Sequence, residues 1–261
     1  TYCFSLVLSQ WFISFSIQQK PSKEIRMKKL LLTAISITTL VLGGCGFKGG
    51  YEPENLLPYE DQLNSVQTAV ESFQEASGGL LPIKTREQET DQYIKYPIDF
   101  KKIVPNYLGK APANSYETGG IYQYVLMDVE ENPTVKLVDL RIADTLRDIN
   151  YRKGINGYGP IAETIVEGVY KLDFKKMGYK DEITVQSPYS DTLLPLVATG
   201  DGKVYVDYSI ELYRLLQETE VDVKPGDDIR FLITDNFAIV PAYSLPYTVD
   251  ENNEPIFMIN K

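Results

Sequence analysis

Histidine is absent from all 261 residues, and cysteine and tryptophan are scarce, with Cys3 and Cys45 the two thiols and Trp11 the one indole. Without an imidazole there is no Ser-His-Asp or Cys-His nucleophile. Beyond residue 45 there is neither His nor Cys. That stretch therefore lacks the usual zinc ligands and cannot form a disulfide. Nor does it contain a Ser-x-x-Lys spacing, the signal for a histidine-free acyl transferase. Calcium, which takes oxygen ligands, and paired-carboxylate chemistry stay open. Positive charge is also short. Lys and Arg number 26 against 36 Asp and Glu, for a net charge of −10. That balance disfavours nucleic acid and repels anionic lipid headgroups. Long apolar runs are missing too. The run Leu30 to Leu42 ends at Gly43-Gly44, short of the roughly 20 residues a spanning helix needs.

That run carries the most specific message in the chain. Met27-Lys28-Lys29 supplies a basic head, Leu30 to Leu42 a short apolar core, and Gly43-Gly44 a small-residue exit before Cys45. This is the order of a secretory signal peptide. Leu42-Gly43-Gly44-Cys45 resembles the lipobox of bacterial lipoproteins. The resemblance implies diacylglycerol transfer to the Cys45 thiol and cleavage before it. The expected signal peptide is 27–44, and Cys45 is the expected lipid-attachment residue.

Residues 1–26 fit this arrangement poorly. The segment Tyr2 to Ile17 is aromatic but broken by Ser and Gln, and it precedes a complete signal. Lys23-Glu24 can be encoded by AAGGAG, a ribosome-binding sequence, two codons before Met27. Residues 1–26 are therefore expected to be upstream DNA read as protein, with Met27 as the start. Removal of everything before Cys45 takes away five bases (Lys20, Lys23, Arg26, Lys28, Lys29) and one acid (Glu24). The 217 residues left carry −14, enough chain for one large domain or two small ones.

Residues 45–58, with several Gly and Pro, read as a tether. Two α+β regions are expected after it, 59–153 and 154–261, built of antiparallel hairpins with packed helices as one or two small subdomains. In the first, Leu63, Val66, Val70 and Phe73 lie on one helical face that Gly78-Gly79 ends. Leu80 to Pro112 reads as loop with a turn of helix near Phe100 to Val104. Ile121 to Val129 and Thr134 to Leu140 read as paired strands, and Ile142, Leu146 and Ile149 as a short helix. In the second region, Pro160 opens a predicted helix with Ile161, Ala162, Ile165, Val166, Val169 and Leu172 on its apolar face, stopped by Gly178. Ile183 to Gln186 is a short strand. Gly200-Asp201-Gly202 turns a hairpin between Leu193–Thr199 and Lys203–Tyr208. Ser209 is placed as the cap of the next helix. A last hairpin is predicted from Ile229–Thr234 and Phe237–Val240 around Asp235-Asn236.

Three groups of residues invite a chemical reading. Gly154 to Gly159 ahead of a helix has the character of an anion cradle, but its spacing matches neither phosphate-loop fingerprint, and a flexible loop explains it more simply. The acidic turns 128–132, 226–228 and 250–254 lack the alternating ligand spacing of a calcium loop and read as solvated turns. Tyr116, Tyr122, Tyr124, Tyr151 and Tyr158 offer stacking faces for a glycan or peptide, or ordinary sheet packing with wet hydroxyls. No catalytic, metal or cofactor residue is singled out, and no cofactor is expected.

From Met27 onward, through the lipobox, Tyr96-Pro97-Ile98-Asp99-Phe100 and Asn132-Pro133-Thr134-Val135-Lys136-Leu137, the chain resembles uncharacterised lipoproteins of Bacillus-type Gram-positive bacteria. Some of these are labelled as transporter solute-binding components. Gln62 to Met127 is also similar to the globular half of a pilin or pseudopilin, which implies helix-on-sheet packing. The expectation is a lipoprotein on the outer face of the cytoplasmic membrane, held by lipid at Cys45. Its expected role is non-catalytic binding of a small-molecule ligand or an envelope protein, with no nucleic-acid partner. The alternatives are a solute-binding component of a transporter and a carboxylate-dependent cell-envelope hydrolase.

Overall fold

The structure, a computed structural model, describes residues 59–156 and 159–259. The expected signal peptide, Cys45 and the expected tether all lie outside the described residues. The described residues belong to one compact unit, Asn55–Lys261. The fold is α+β. Among the described residues no helix is long and apolar enough to cross a membrane.

Helix α1, Tyr59–Ala76, starts with Glu60 and Asp61 in its first turn, where the dipole favours acids. It stops where Gly78 and Gly79 take φ of +71° and +97°, and the Gly79 amide bonds the Gln74 carbonyl at 2.8 Å. A single helical turn, α2 (Phe100–Ile103), is capped by the Asp99 carboxylate. Strands β1 (Tyr122–Met127) and β2 (Thr134–Asp139) form the expected antiparallel hairpin, pairing Tyr122 with Asp139 and Met127 with Thr134.

Distant segments widen that hairpin. Ile98 N–H bonds Tyr124 O and Leu126 N–H bonds Tyr96 O, both at 2.9 Å, so residues 96–98 line up beside β1. On the other side Leu137 N–H bonds Ala238 O, and Val240 N–H bonds Leu137 O, again at 2.9 Å. Strand alternation then sorts the side chains. Tyr124, Leu126, Val135 and Leu137 face Val66, Ala69 and Val70 of α1. Val125 and Val138 face Tyr93, Val240 and Ala242. Gln67 reaches off α1 to fix the sheet edge, accepting from Val135 N–H at 2.7 Å and donating to Pro133 O at 3.0 Å.

Helix α3, Leu140–Asn156, follows β2 without a loop. Its buried Ile142, Leu146 and Ile149 enter the largest apolar cluster, with Leu172, Leu194, Leu212 and Leu232 of the chain's second half. The position expected for a boundary, 153/154, thus falls inside a helix.

The second half corrects three sequence expectations. The helix predicted after Pro160 is a hairpin of β3 (Ile161–Val166) and β4 (Val169–Leu172), turned at Glu167-Gly168 with Gly168 at φ +88°. Ile161, Thr164, Ile165, Val166 and Val169 are β-branched, and a two-residue turn ending in Gly suits a hairpin. The apolar spacing was compatible with helix, yet every residue of β3 is exposed, so no helical face is buried there. The hairpin continues into a four-stranded antiparallel sheet, β3-β4-β7-β8, with β7 (Leu196–Thr199) and β8 (Val204–Val206) joined at the expected turn. The short strands β5 (Val185–Gln186) and β6 (Leu193–Leu194) pair alongside.

Ser209 is the first residue of helix α4 (Ser209–Glu218) rather than its cap, and the Asp207 carboxylate accepts its amide at 2.9 Å. The hairpin predicted around Asp235-Asn236 is instead a helix, α5 (Phe231–Asn236). Its C-terminal carbonyls are satisfied from another part of the chain: Lys136 Nζ donates to Thr234 O at 2.6 Å and to Phe237 O at 3.1 Å. The final hairpin pairs β9 (Tyr247–Val249) with β10 (Pro255–Phe257).

Candidate functional site

Tyr243 occupies the most unusual backbone position near a concave surface. Its φ is +59°, a left-handed conformation that costs a side-chain-bearing residue roughly 1–2 kcal/mol. The fold ties its backbone to the sheet: its carbonyl accepts from Val206 N–H of β8 at 2.9 Å. Strain of this kind collects where a side chain must be aimed.

Two depressions open on either side of this tyrosine. The larger, of about 750 Å³, lies between the Glu89–Gln92 segment, the second half of α3, the β7–β8 turn and residues Tyr243–Pro246. The smaller, of about 500 Å³, lies between Arg86, Gln123, the first half of α3 and the same Tyr243. Along α3 the lining residues include Asp144 and Arg147 in one depression and are Asn150 and Lys153 in the other. Each step of three falls about 60° short of a full turn, so this row winds around α3 as it rises about 14 Å. The two depressions share Tyr243 in their linings and adjoin there as one open groove.

Several of the groove's charged groups are held by partners inside the fold. In the larger depression Arg230 is nearly buried, with Nε donating to both Asp228 oxygens at 3.0 Å, and Nη1 to Ser244 O at 3.3 Å. Its guanidinium also lies 5.2 Å from the Tyr93 ring centre. Asp91 sits beside it. Burial holds the Asp91 carboxyl above the ordinary aspartate range, and the Tyr93 amide and Arg230 charge pull it back only in part. Burial likewise raises the Tyr243 phenol. Lys153 donates to Gly202 O, and to Asn150 Oδ1 at 3.1 Å, which ties α3 to the β7–β8 turn. Such a site can offer both charge signs and aromatic faces to a ligand.

The second buried polar centre belongs to neither depression. Glu211 of α4 is 1% exposed and accepts from the hydroxyls of Ser187 and Ser190 and from Arg214. Burial alone would raise its pKa, but those donors together hold it below the ordinary glutamate value. All these partners are spoken for, and the cluster fastens the β5–β6 segment to α4.

The sequence-predicted candidates scatter. Tyr124 is a core residue whose hydroxyl donates to Asn114 Oδ1 at 2.7 Å. Tyr151 is exposed, and Tyr158 lies outside the described residues. Of the four that are described, Tyr116 lines the smaller depression, as does Tyr243. Gly154 is inside α3, while Gly157 lies outside the described residues. The acidic turns bind their own backbone. Asp250 accepts from the amides of Asn252 at 2.8 Å and Glu254 at 2.9 Å, and Asp227 from that of Lys224 at 2.9 Å. Among the described residues no group of three or more acids is placed to hold a metal. Sequence reasoning missed Tyr243, because nothing in Pro241-Ala242-Tyr243-Ser244 signals a left-handed residue.

Residues 59–139 match the YphF family N-terminal domain. That match runs from α1 to the end of β2 and stops where α3 begins. No curated protein and no solved structure matches the chain.

Proposed function

We propose that this chain is a lipoprotein of the outer face of the cytoplasmic membrane, anchored at Cys45, that binds an extended ligand or an envelope partner in the groove centred on Tyr243. The groove carries the reading: a strained tyrosine separates two open, polar depressions whose charged walls are already fixed by internal bonds. Fixed walls lose little freedom on binding, which favours recognition. Open depressions along a helix suit a chain-like ligand better than the enclosed cavity that usually holds a small solute. The lipobox at Leu42–Cys45 supports the location, and the acidic composition supports a body that touches the membrane through its lipid rather than its surface.

Two measurements test this. Cys45→Ser should abolish incorporation of labelled fatty acid and leave the precursor uncleaved; labelling that persists refutes the anchor. Hydrogen exchange on the full chain, with and without solubilised cell-envelope material, should show protection of residues 143–153 and 243–246. Protection confined to other segments refutes the groove. The carboxylate-hydrolase alternative places its acid at Asp91, and it gains only if envelope material is cleaved in a way that Asp91→Asn abolishes.

A further inference from the structure

The smaller depression has a chemical bias that the groove as a whole lacks. Arg86, Arg141 and Arg147 all line it, and they come from separate places: a loop, the first turn of α3 and the turn beyond. Each guanidinium is oriented by one side-chain acceptor. Arg86 Nη2 donates to Gln123 Oε1 at 3.3 Å, Arg147 Nη2 to Asp144 Oδ1, and Arg141 to Asp139.

The Arg141 pair is the telling one. The Asp139 side chain is 1% exposed, whereas that of Arg141 is 55% exposed. A buried carboxylate is costly unless its oxygens are bonded. Here they accept from the Arg141 amide at 2.9 Å and from its Nε at 3.0 and 3.1 Å. The inner side of the fork is thereby fixed, and its outer donors are left at the surface. A guanidinium carries five N–H groups in a rigid plane. One or two are used in each of the three forks, so most donors remain for a ligand. Partly exposed pairs of this kind add little to stability, so folding alone gives poor reason to gather three of them.

Charge sharpens the point. Three guanidinium charges face the carboxylates of Asp139 and Asp144, an excess of one positive charge in a chain of net −10. The cationic depression is thus a local exception and not part of a basic surface. Planar N–H forks match the oxygens of phosphate and carboxylate groups better than any other side chain.

We propose that the depression walled by Arg86, Arg141 and Arg147 is an oxyanion site that takes a phosphate or carboxylate group of the ligand lying in the groove. This rests on the groove being a binding site.

The test is isothermal titration of the full-length protein, in neutral detergent at low salt, with inorganic pyrophosphate and with citrate. One-to-one binding of at least one of them is expected, and the tighter of the two identifies the group as phosphate or carboxylate. Arg86→Ala and Arg147→Ala should each weaken it by roughly tenfold or more, the loss of a charge-assisted bond. Both side chains are exposed, so these variants should keep the wild-type thermal midpoint within a few degrees. Arg141→Lys, which keeps a charge for Asp139 but loses the fork, should weaken it as well. Lys180→Ala, an exposed cation outside both depressions, should leave it unchanged. Absence of binding by either anion overturns the assignment, as does binding that survives in both alanine variants. If envelope material still protects residues 243–246 while neither anion binds, the groove stands and the oxyanion site falls. If neither occurs, both fall.

Discussion

Truncating Glu211 should be among the most damaging single changes in the second half of the chain. The side chain projects from α4 into the cluster that holds the β5–β6 segment. One oxygen accepts from Ser187 Oγ at 2.6 Å and from the Ser190 hydroxyl; the other accepts from Arg214 at 3.0 and 3.3 Å. Each serine hydroxyl in turn accepts a loop amide, Tyr189 at 3.1 Å and Thr192 at 3.2 Å. Glu211→Ala therefore strands two donors and loosens a chain of bonds. Breaking a buried ion pair from one side costs about 3–5 kcal/mol. Arg214 is 36% exposed and keeps Glu218 as a partner at 3.0 Å, which places the cost near the lower end, about 3 kcal/mol. For a domain of this size that is a fall of about 6–12 °C in thermal midpoint. The assay is urea denaturation followed by circular dichroism, with Ser187→Ala and the double variant completing a cycle. The sign of the pH dependence is an independent check. The carboxyl's folded-state pKa lies below its unfolded value. Its contribution is therefore complete above the unfolded pKa, about 4.3, and is lost as pH falls through the folded one. Wild type and Glu211→Ala should converge in stability at low pH. A cost under about 1 kcal/mol at pH 7, or a gap that does not shrink by pH 3, would refute the reasoning.

Three further outcomes are expected. Tyr247→Phe removes a hydroxyl that donates to Asp207 Oδ1 at 2.7 Å and accepts the buried Tyr208 amide at 3.0 Å, so denaturation should show a loss of about 1–3 kcal/mol; a loss below about 0.5 would mean the amide finds another partner. Leu137 is fully buried where β2 meets the Ile239 segment, and Leu137→Ala should cost about 2–5 kcal/mol in the same assay, with a smaller value pointing to a site that collapses easily. Burial pushes the Tyr93 and Tyr124 phenols up to about 12; because the folded pKa is the higher, their contribution is intact below the unfolded pKa of about 10 and fades as pH rises towards 12, so ultraviolet titration should find them ionising with unfolding, and normal titration in the folded state would contradict their burial.

Much of the architecture was legible because it is local. Helix α1 was readable from Leu63, Val66, Val70 and Phe73 with Gly78-Gly79 behind them, since period and stop signal both sit within 20 residues. The β1–β2 hairpin, the start of α3 and the Gly200-Asp201-Gly202 turn followed from the same kind of signal. The lipobox reading is likewise a property of contiguous residues. Where the reading failed, two local codes overlapped. Ile161 to Leu172 satisfies both helical and strand spacing, and the choice fell to pairing with β7, whose register no local rule contains.

Other features belong to the tertiary structure alone. Helix α5 ends against Lys136, almost a hundred residues earlier, and sequence spacing carries no trace of that contact. The groove is of the same kind. Arg86, Arg147, Lys153 and Tyr243 are ordinary surface letters in sequence, and they line adjoining depressions because α3 packs into the second-half core and the Tyr243 carbonyl is bonded by Val206. Amphipathic period records which face of an element is buried, and so composition and period alone determined an acidic, histidine-free α+β chain with helix α1, the β1–β2 hairpin and the β7–β8 turn. Which charged residues from distant segments meet around one tyrosine depends on packing geometry, because exposed polar positions bear no periodic constraint that could announce their neighbours.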